Sequence, residues 1–255
     1  MSRVSVVTGV ASGIGRATAE LLRSRGEQVI GVDLHNADIT ADLSAPEGVE
    51  AMVTAVDEAS CGAVDAVYAI AGVAHDTSLA VKVNYFGMIG TLEGLRPLLV
   101  KSAAPRAQAV ASMASLLPAD DELVEAMLAG DCDAAVSRAD AIAGSSLIYG
   151  STKQAFARWI RRNAAAPHWA GASIPLNAAA PGIIRTPMTA DLTATAEAEA
   201  ELLQTVPMPL NGIAGPTVVA ELLTWLGSEA NTHLCGQVVF VDGGCDVVFR
   251  GESTW

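Results

Sequence analysis

The sequence has 255 residues, of which 51% are hydrophobic and 17% are charged, a balance that excludes a disordered chain and predicts one folded domain over residues 1–255. Its formal charge of −13 argues against nucleic acid or an anionic membrane surface as a partner, because both are bound through clustered lysines and arginines. No stretch offers the roughly 18 consecutive apolar residues that span a bilayer, and the first ten residues read as a strand rather than a signal peptide.

The cysteines and histidines predict neither a disulfide framework nor a metal site. The four cysteines lie far apart and form no Cys-x-x-Cys unit, which is typical of reduced thiols in a cytoplasmic protein. The four histidines are equally scattered, without the helical spacing of zinc ligands. We therefore expect a cytoplasmic location and no metal.

Short β-branched runs alternate with helical stretches along the chain, which is the pattern of an α/β protein with a doubly wound parallel sheet. Strands are predicted to begin at Val4, Gln28, Ala66, Gln108, Ser173 and Gln237, with a short stretch near residues 38–43. Helices are predicted over about 13–25, 46–59, 79–101, 146–165 and 215–228. The last ten or so residues carry no clear periodicity.

The first strand runs directly into a glycine-rich loop that opens a helix. Gly9, Gly13 and Gly15 remove the Cβ atoms that would keep a pyrophosphate away from the backbone, and the helix N-terminus supplies free N–H groups. The second strand ends at Asp33, whose carboxylate can accept hydrogen bonds from adenosine ribose hydroxyls but would repel a 2′-phosphate. This spacing favours NAD(H) over NADP(H), and the alternative is that Asp33 is a solvated turn residue.

The segment 116–145 fits the alternation poorly and reads as two short helices. Asp120 or Asp121 can cap the first, which ends at Gly130, and the second ends near Gly144. A helical excursion at the carboxyl end of a strand lies where open α/β sheets bind ligands. We interpret the segment as a lid over the substrate pocket, with a passive surface insertion as the alternative.

Tyr149 and Lys153 stand four residues apart in a predicted helix, so both side chains face the same way. A phenol has a pKa of about 10, and a nearby cation favours the phenolate, so the pair is suited to acid–base work close to neutral pH. An isolated Tyr-x-x-x-Lys pair more often consists of an ordinary boundary tyrosine and a surface lysine. Here several other motifs accompany it.

Five ordered motifs make the chain resemble the short-chain dehydrogenase/reductase superfamily from its first strand to the Val-Asp-Gly-Gly that ends at Gly244. The signature Thr-Gly-x-x-x-Gly-x-Gly begins at Thr8, and the cofactor loop reads NAAAPGIIRTPM. The resemblance implies a Rossmann fold and the catalytic residues Asn84, Ser112, Tyr149 and Lys153. It also implies that NAD is bound by Gly9, Ser12, Gly13, Ile14, Asp33, Asp42, Leu43, Ala71, Gly72, Tyr149, Lys153, Pro181, Gly182, Ile184 and Thr186.

Two departures qualify the resemblance. The superfamily's Asn-Asn-Ala-Gly after the fourth strand is Ala-Ile-Ala-Gly here, which leaves open how the central sheet is braced. Ser112 and Tyr149 lie 37 residues apart, further than in most of the family, so 116–145 is an insertion. In this respect the chain is similar to bacterial 3α-hydroxysteroid dehydrogenase/carbonyl reductases. Ser115 competes for the catalytic role, and we prefer Ser112 because it ends the apolar run.

We expect an NAD(H)-dependent enzyme that interconverts a ketone and a secondary alcohol, with Tyr149 as the acid/base. An apolar substrate, a steroid or an aryl or alkyl ketone, is predicted from Leu116, Leu117, Leu123, Met127, Leu128, Met188 and Leu192, which could equally pack inside the protein. The alternatives are a 3-oxoacyl-[acyl-carrier-protein] reductase, a sugar epimerase or dehydratase, and a non-catalytic dinucleotide sensor. A homo-oligomer, dimer or tetramer, is predicted through helices 79–101 and 146–165, where the insertion could obstruct one interface.

Overall fold

The structure is a computed structural model and describes residues 2–254. Within these residues lie seven strands, β1 (Val4–Thr8), β2 (Gln28–Asp33), β3 (Ile39–Thr40), β4 (Ala66–Ala69), β5 (Arg106–Val110), β6 (Leu176–Pro181) and β7 (Val238–Val241). They form one parallel sheet in the order β3-β2-β1-β4-β5-β6-β7. Every residue of β4, β5 and β6 is buried, as expected for a parallel sheet that is covered on both faces. The predicted fold class is confirmed.

Helices cover both faces of the sheet. In the described part of the chain they are α1 (Gly13–Ser24), α2 (Pro46–Ala59), α3 (Ser78–Val81), α4 (Met88–Leu99), α5 (Asp121–Leu128), α6 (Cys132–Ala141), α7 (Ile148–Asn163), α8 (Ala196–Thr205), α9 (Pro216–Leu226) and α10 (Cys245–Arg250). None of these, within residues 2–254, combines the length and apolar character needed to cross a membrane.

Alternation along β1 contributes to the two larger of three apolar clusters, which form the larger and the smaller part of the hydrophobic core. Val6 packs into the larger part with Leu92 of α4 and Phe156 of α7, whereas Val7 packs into the smaller part with Leu22 of α1 and Leu223 of α9. Successive side chains of a strand point to opposite faces, so each face of the sheet receives its own layer of helices. The result is a three-layer α/β/α arrangement.

The helix predicted over 79–101 is interrupted. It consists of α3, a π-helical turn over Lys82–Gly87 and α4. The π-helical turn contains Asn84, which is fully buried and exchanges two hydrogen bonds with the backbone of Val73. Such turns are frequent at functional sites. α8 was not predicted because all its described residues are at least partly exposed, so its sequence carries little hydrophobic periodicity.

The insertion 116–145 forms α5 and α6 and packs against the protein's own helices. Leu123 and Met127 are fully buried in the larger part of the core, where α5 lies on α7. Asp120 caps α5 by accepting a hydrogen bond from the Leu123 N–H at 2.8 Å. The Arg138 guanidinium of α6 hydrogen-bonds the same carboxylate at 2.6 Å and lowers its pKa. Of the two alternatives left open by the sequence, Leu123 and Met127 take the second, packing inside the protein.

A crevice forms where the strand order reverses. β1 and β4 are neighbours, and the chain continues to β2 and β3 on one side of them and to β5, β6 and β7 on the other. The loops that follow β1 and β4 therefore diverge at the carboxyl edge of the sheet. The glycine-rich loop follows β1, and residues 70–77 follow β4.

Candidate active site

A cavity of about 190 Å³ occupies the crevice. Its walls come from the loops after β1, β4, β5 and β6 and from the first turns of α7. Of the residues predicted from the sequence, it brings together Gly9, Ser12, Gly13, Ile14, Gly15, Ala71, Gly72, Ser112, Tyr149, Lys153, Pro181, Gly182, Ile184, Thr186 and Met188. Asp33, Asp42, Leu43 and Asn84 do not line it.

The glycine loop has the shape of a phosphate cradle. Gly9 and Gly13 have positive φ angles of 78° and 53°, which side-chain-bearing residues rarely adopt. A Cβ on Gly15 would lie 2.0 Å from the carbonyl oxygen of Gly9, so a larger residue would push the loop open. Ser12 is the N-cap residue of α1, whose first N–H groups open towards the crevice. These residues fit the pyrophosphate of a dinucleotide.

Asp33 adjoins the glycine loop at the end of β2. One carboxylate oxygen accepts a hydrogen bond from the Ala11 N–H at 2.9 Å, and the other accepts one from the Leu34 N–H at 2.7 Å. Each oxygen keeps a further lone pair for a ligand hydroxyl. The structure thus holds this carboxylate against the loop rather than in a free solvated turn.

Asp42 and Leu43 face elsewhere. The Asp42 carboxylate accepts a hydrogen bond from the Ser44 N–H at 2.9 Å, and hydrogen bonding by Ser44 lowers its pKa. Leu43 is buried in the larger part of the core. Their role in binding the cofactor stays a prediction.

Tyr149, Ser112 and Lys153 converge on one side of the cavity. The Lys153 Nζ lies 5.7 Å from the centre of the Tyr149 ring and donates a hydrogen bond to the Val110 carbonyl oxygen at 3.2 Å. The Ser112 Oγ accepts a hydrogen bond from the Ala114 N–H at 3.1 Å, which fixes the hydroxyl beside the phenol. The chemistry available here is proton transfer to or from a ligand oxygen.

Burial dominates the acid–base properties of this group. It raises the pKa of the Tyr149 phenol above its ordinary value, and the neighbouring Ser112 hydroxyl opposes only part of that rise. Burial also lowers the pKa of Lys153 from 10.5 to about 8. Desolvation is thus the larger effect on both groups, and the expected lowering of the phenol pKa by Lys153 stays a prediction.

Ser115, the alternative to Ser112 for the catalytic role, does not line the cavity. Its hydroxyl donates a hydrogen bond to the Ser112 carbonyl oxygen at 2.8 Å, and the residue is buried outside the cavity lining. Ser112 ends the apolar run of β5 and lines the cavity. The geometry therefore favours Ser112 over Ser115.

Asn84 and Thr8 brace the loop that follows β4. Asn84 donates to the Val73 carbonyl oxygen and accepts from the Val73 N–H, both at 2.9 Å. The Thr8 hydroxyl oxygen accepts hydrogen bonds from the N–H groups of Ile70 and Ala71, at 2.9 and 3.0 Å. Thr8 thus braces the strand end at which the superfamily's two asparagines are replaced.

Sequence reasoning missed several residues of the cavity wall. They are Ile70, Val73, Val110, Ala111 and Thr189. Only Thr189 carries a local signal, since it completes a capping box with Thr186 in the Thr-x-x-Thr pattern after β6. The other four are apolar residues that no sequence motif marks. Within residues 2–254 no group of three or more His, Cys, Asp or Glu side chains is placed to hold a metal ion.

Comparisons with known proteins identify the family of this chain. Residues 9–246 match the sequence model of a family described as Enoyl-(Acyl carrier protein) reductase. The chain is 32% identical to the 3-alpha-hydroxysteroid dehydrogenase/carbonyl reductase of Comamonas testosteroni, over 97% of this chain and 98% of that protein. It is 30% identical to the cis-4-hydroxycyclohexanecarboxylate dehydrogenase of Sinomonas cyclohexanicum, over 96% and 97% of the two chains.

A solved structure extends the likeness to three dimensions. The 3-alpha-hydroxysteroid dehydrogenase from Pseudomonas sp. B-0831, complexed with NADH, superposes with a TM-score of 0.90 at 39% identity and covers 98% of this chain and 99% of that one. Sequence, fold and the crevice at the strand switch thus lead to one conclusion. The chain belongs to the short-chain dehydrogenase/reductase family and is an oxidoreductase.

Proposed function

We propose that the protein interconverts a ketone and a secondary alcohol with NAD(H), and that Tyr149 is its acid/base. The observation that carries the proposal is the meeting of a phenol, a hydroxyl and an amine, from Tyr149, Ser112 and Lys153, beside a glycine cradle in one cavity. When bound, NAD(H) supplies or accepts the hydride. A protein that only sensed dinucleotides would have no use for this proton-transferring group.

The side chains divide the work in the reducing direction. Tyr149, whose phenol stays protonated because burial raises its pKa, donates its proton to the carbonyl oxygen of the substrate. Ser112 donates a hydrogen bond to the same oxygen, since its own Oγ is already held by the Ala114 N–H. Lys153 holds the ribose next to the nicotinamide. By resemblance to the family, Asn84 is assigned a water that would link Lys153 to solvent, while its side chain is hydrogen-bonded to Val73.

NAD(H) rather than NADP(H) is the proposed cofactor. Asp33 stands at the end of β2 against the glycine loop, where its carboxylate is placed for ribose hydroxyls and would repel a 2′-phosphate. The NADH bound to the Pseudomonas relative supports the same choice.

An apolar cyclic or aryl ketone, steroids included, is the proposed substrate class. Val73, Ile184 and Met188 line the cavity, and Tyr149 borders an apolar cluster that includes Met113. The names of the relatives, a hydroxysteroid dehydrogenase and a hydroxycyclohexanecarboxylate dehydrogenase, support ring alcohols as the products.

The decisive experiment follows NADH absorbance with a panel of cyclic ketones and 3-ketosteroids. We expect turnover by the wild-type protein, and Tyr149→Phe to lower kcat by about a hundredfold or more while the NADH Kd changes less than about twofold. Tyr85→Phe is the matched control, because Tyr85 is a buried tyrosine outside the cavity lining. Turnover retained by Tyr149→Phe would overturn the assignment.

A 3-oxoacyl-[acyl-carrier-protein] reductase is the second candidate. The description of the matching family supports it, as does 27% identity to a reductase of that name from Thermotoga maritima. Faster turnover of a 3-oxoacyl thioester than of any cyclic ketone would favour it.

A homo-oligomer is also proposed. The insertion packs on α3 and α7, within the helices first expected to form the interface. Large apolar side chains are exposed instead on α9 and α10, among them Val218, Trp225 and Val247. Light scattering would give the mass, and a monomer at micromolar concentration would contradict the proposal.

A further inference from the structure

Helix α7, which carries Tyr149 and Lys153, has one local acceptor at its start, the Ser145 hydroxyl, which accepts a hydrogen bond from the Leu147 N–H at 3.2 Å. Its N-cap residue, Leu147, contributes no side-chain hydrogen bond within the described chain. The first N–H groups of a helix have no partner inside the helix and need one from elsewhere. For the Ile148 N–H, the first of α7, the partner is the carboxylate of Asp76, which lies in the loop between β4 and α3, about 70 residues earlier in the chain.

Asp76 accepts two hydrogen bonds at this helix start. Its Oδ2 accepts from the Ser146 N–H at 2.8 Å, and its Oδ1 accepts from the Ile148 N–H at 3.1 Å. Ser146 has a left-handed backbone with φ +63°, which turns the chain so that both N–H groups reach one carboxylate. The negative charge also complements the positive end of the helix.

The loop that carries Asp76 is itself fixed at the cavity wall. Ile70 and Ala71 are hydrogen-bonded to Thr8, and Val73 is held on both sides by Asn84. Asp76 lies three residues beyond Val73. It therefore ties the start of α7 to the wall that Ala71 and Val73 contribute to the cavity.

Tyr149 follows Ile148 directly, so this tie acts on its position from one side of the helix, while the Ser151 hydroxyl accepts a hydrogen bond from the Asp120 N–H at 2.9 Å on the other. A helix start that shifts away from the wall carries the phenol with it, and displacement of a reacting group by about 1 Å is enough to slow a reaction by about a hundredfold. Hydrogen bonds within α7 itself would not prevent such a shift, because they move with the helix.

We propose that Asp76 is a positioning residue for Tyr149: its carboxylate caps the catalytic helix from the β4–α3 loop and sets the distance between the phenol and the opposite wall of the cavity. The proposal rests on the proposed function for its effect on turnover. Its structural part, the fixing of the first turn of α7, does not depend on which substrate the enzyme takes.

The test compares Asp76→Ala and Asp76→Asn with Asp131→Ala. Asp131 is the matched control, because it caps α6 by accepting from the Ala134 N–H at 3.0 Å and lies outside the cavity lining. For each variant we would measure hydrogen–deuterium exchange of residues 146–150, the thermal midpoint, the NADH Kd, and kcat and KM with the ketone panel.

Asp76→Ala is expected to speed exchange at 146–150 and to lower kcat about tenfold or more, with KM changed less than about threefold. Asp76→Asn keeps one acceptor oxygen and is expected to fall between Asp76→Ala and the wild type. Asp131→Ala is expected to lose a similar amount of thermal stability while keeping kcat within about twofold.

Two results would overturn the proposal: unchanged exchange at 146–150 in Asp76→Ala, or a kcat equal to that of Asp131→Ala at a similar loss of stability. If Asp76→Ala does not fold, Asp76→Asn decides by the same two readouts. If the wild-type protein reduces no ketone of the panel, the proposed function fails, while the exchange data still decide whether Asp76 fixes α7.

Discussion

Replacing Lys153 with methionine is expected to stabilise the protein near neutral pH while removing its activity. The Lys153 side chain is 4% exposed, and burial lowers its pKa from 10.5 to about 8. At neutral pH the folded protein therefore holds a charge in an environment that disfavours it. Methionine has a similar length and flexibility and carries no charge.

The magnitude follows from the size of the pKa shift. At about 1.4 kcal/mol for each pKa unit, the buried ammonium destabilises the folded protein by about 3 kcal/mol where it is fully charged. Methionine also removes the hydrogen bond to the Val110 carbonyl oxygen, which costs about 1 kcal/mol. The net expectation is a gain in the free energy of unfolding of about 2 kcal/mol near pH 7.

The effect of the buried Lys153 on the free energy of unfolding depends on pH. Between about pH 8 and 10.5 the unfolded chain binds more protons at Lys153 than the folded protein does, so wild-type stability rises with pH in this window. The advantage of Lys153→Met should therefore be largest below about pH 8 and disappear by about pH 10.

Urea unfolding of both proteins near pH 7 and near pH 10, at equal protein concentration, measures this difference. Lys101→Met is the matched control, because Lys101 is exposed and its charge stays in water. The reasoning is refuted if Lys153→Met is less stable than the wild type near pH 7, or if its advantage is the same at both pH values. If Lys153→Met still reduced ketones at the wild-type rate, Lys153 would not be a catalytic residue.

Two further substitutions test the cofactor site. Asp33→Ser should narrow the preference for NADH over NADPH by about tenfold, measured as the ratio of kcat/KM values, and an unchanged ratio would place Asp33 away from the ribose. Gly15→Ala puts a Cβ 2.0 Å from the Gly9 carbonyl oxygen, so the NADH Kd should rise by about tenfold or more. Gly215→Ala meets nothing within 4 Å and should leave NADH binding as it is. Equal NADH affinities in the two alanine variants would argue against the cradle.

The sequence by itself determined the sheet, the glycine loop and the pairing of Tyr149 with Lys153. These features follow from short-range patterns: alternation along strands, positive φ angles that favour glycine at Gly9 and Gly13, and the four-residue spacing on one helix face. Such patterns have the same consequence wherever the segment lies in a protein.

The tertiary structure alone decided which way the insertion faces. The apolar stripe of Leu123 and Met127 reads the same whether it meets a substrate or α7, and packing buried it against α7. The tertiary structure also decided the direction in which the pKa values of Tyr149 and Lys153 shift. Desolvation depends on the atoms that surround a group in space and not on its neighbours along the chain.

The start of α7 shows why some features follow from the sequence and others only from the tertiary structure. The sequence predicted this helix, but the carboxylate that accepts a hydrogen bond from its first N–H group, that of Ile148, comes from Asp76 in another loop. A contact between segments about 70 residues apart exists only after the sheet has brought its loops to one edge. Local chemistry therefore fixed which groups are present, and the folded chain fixed their distances, their burial and their protonation.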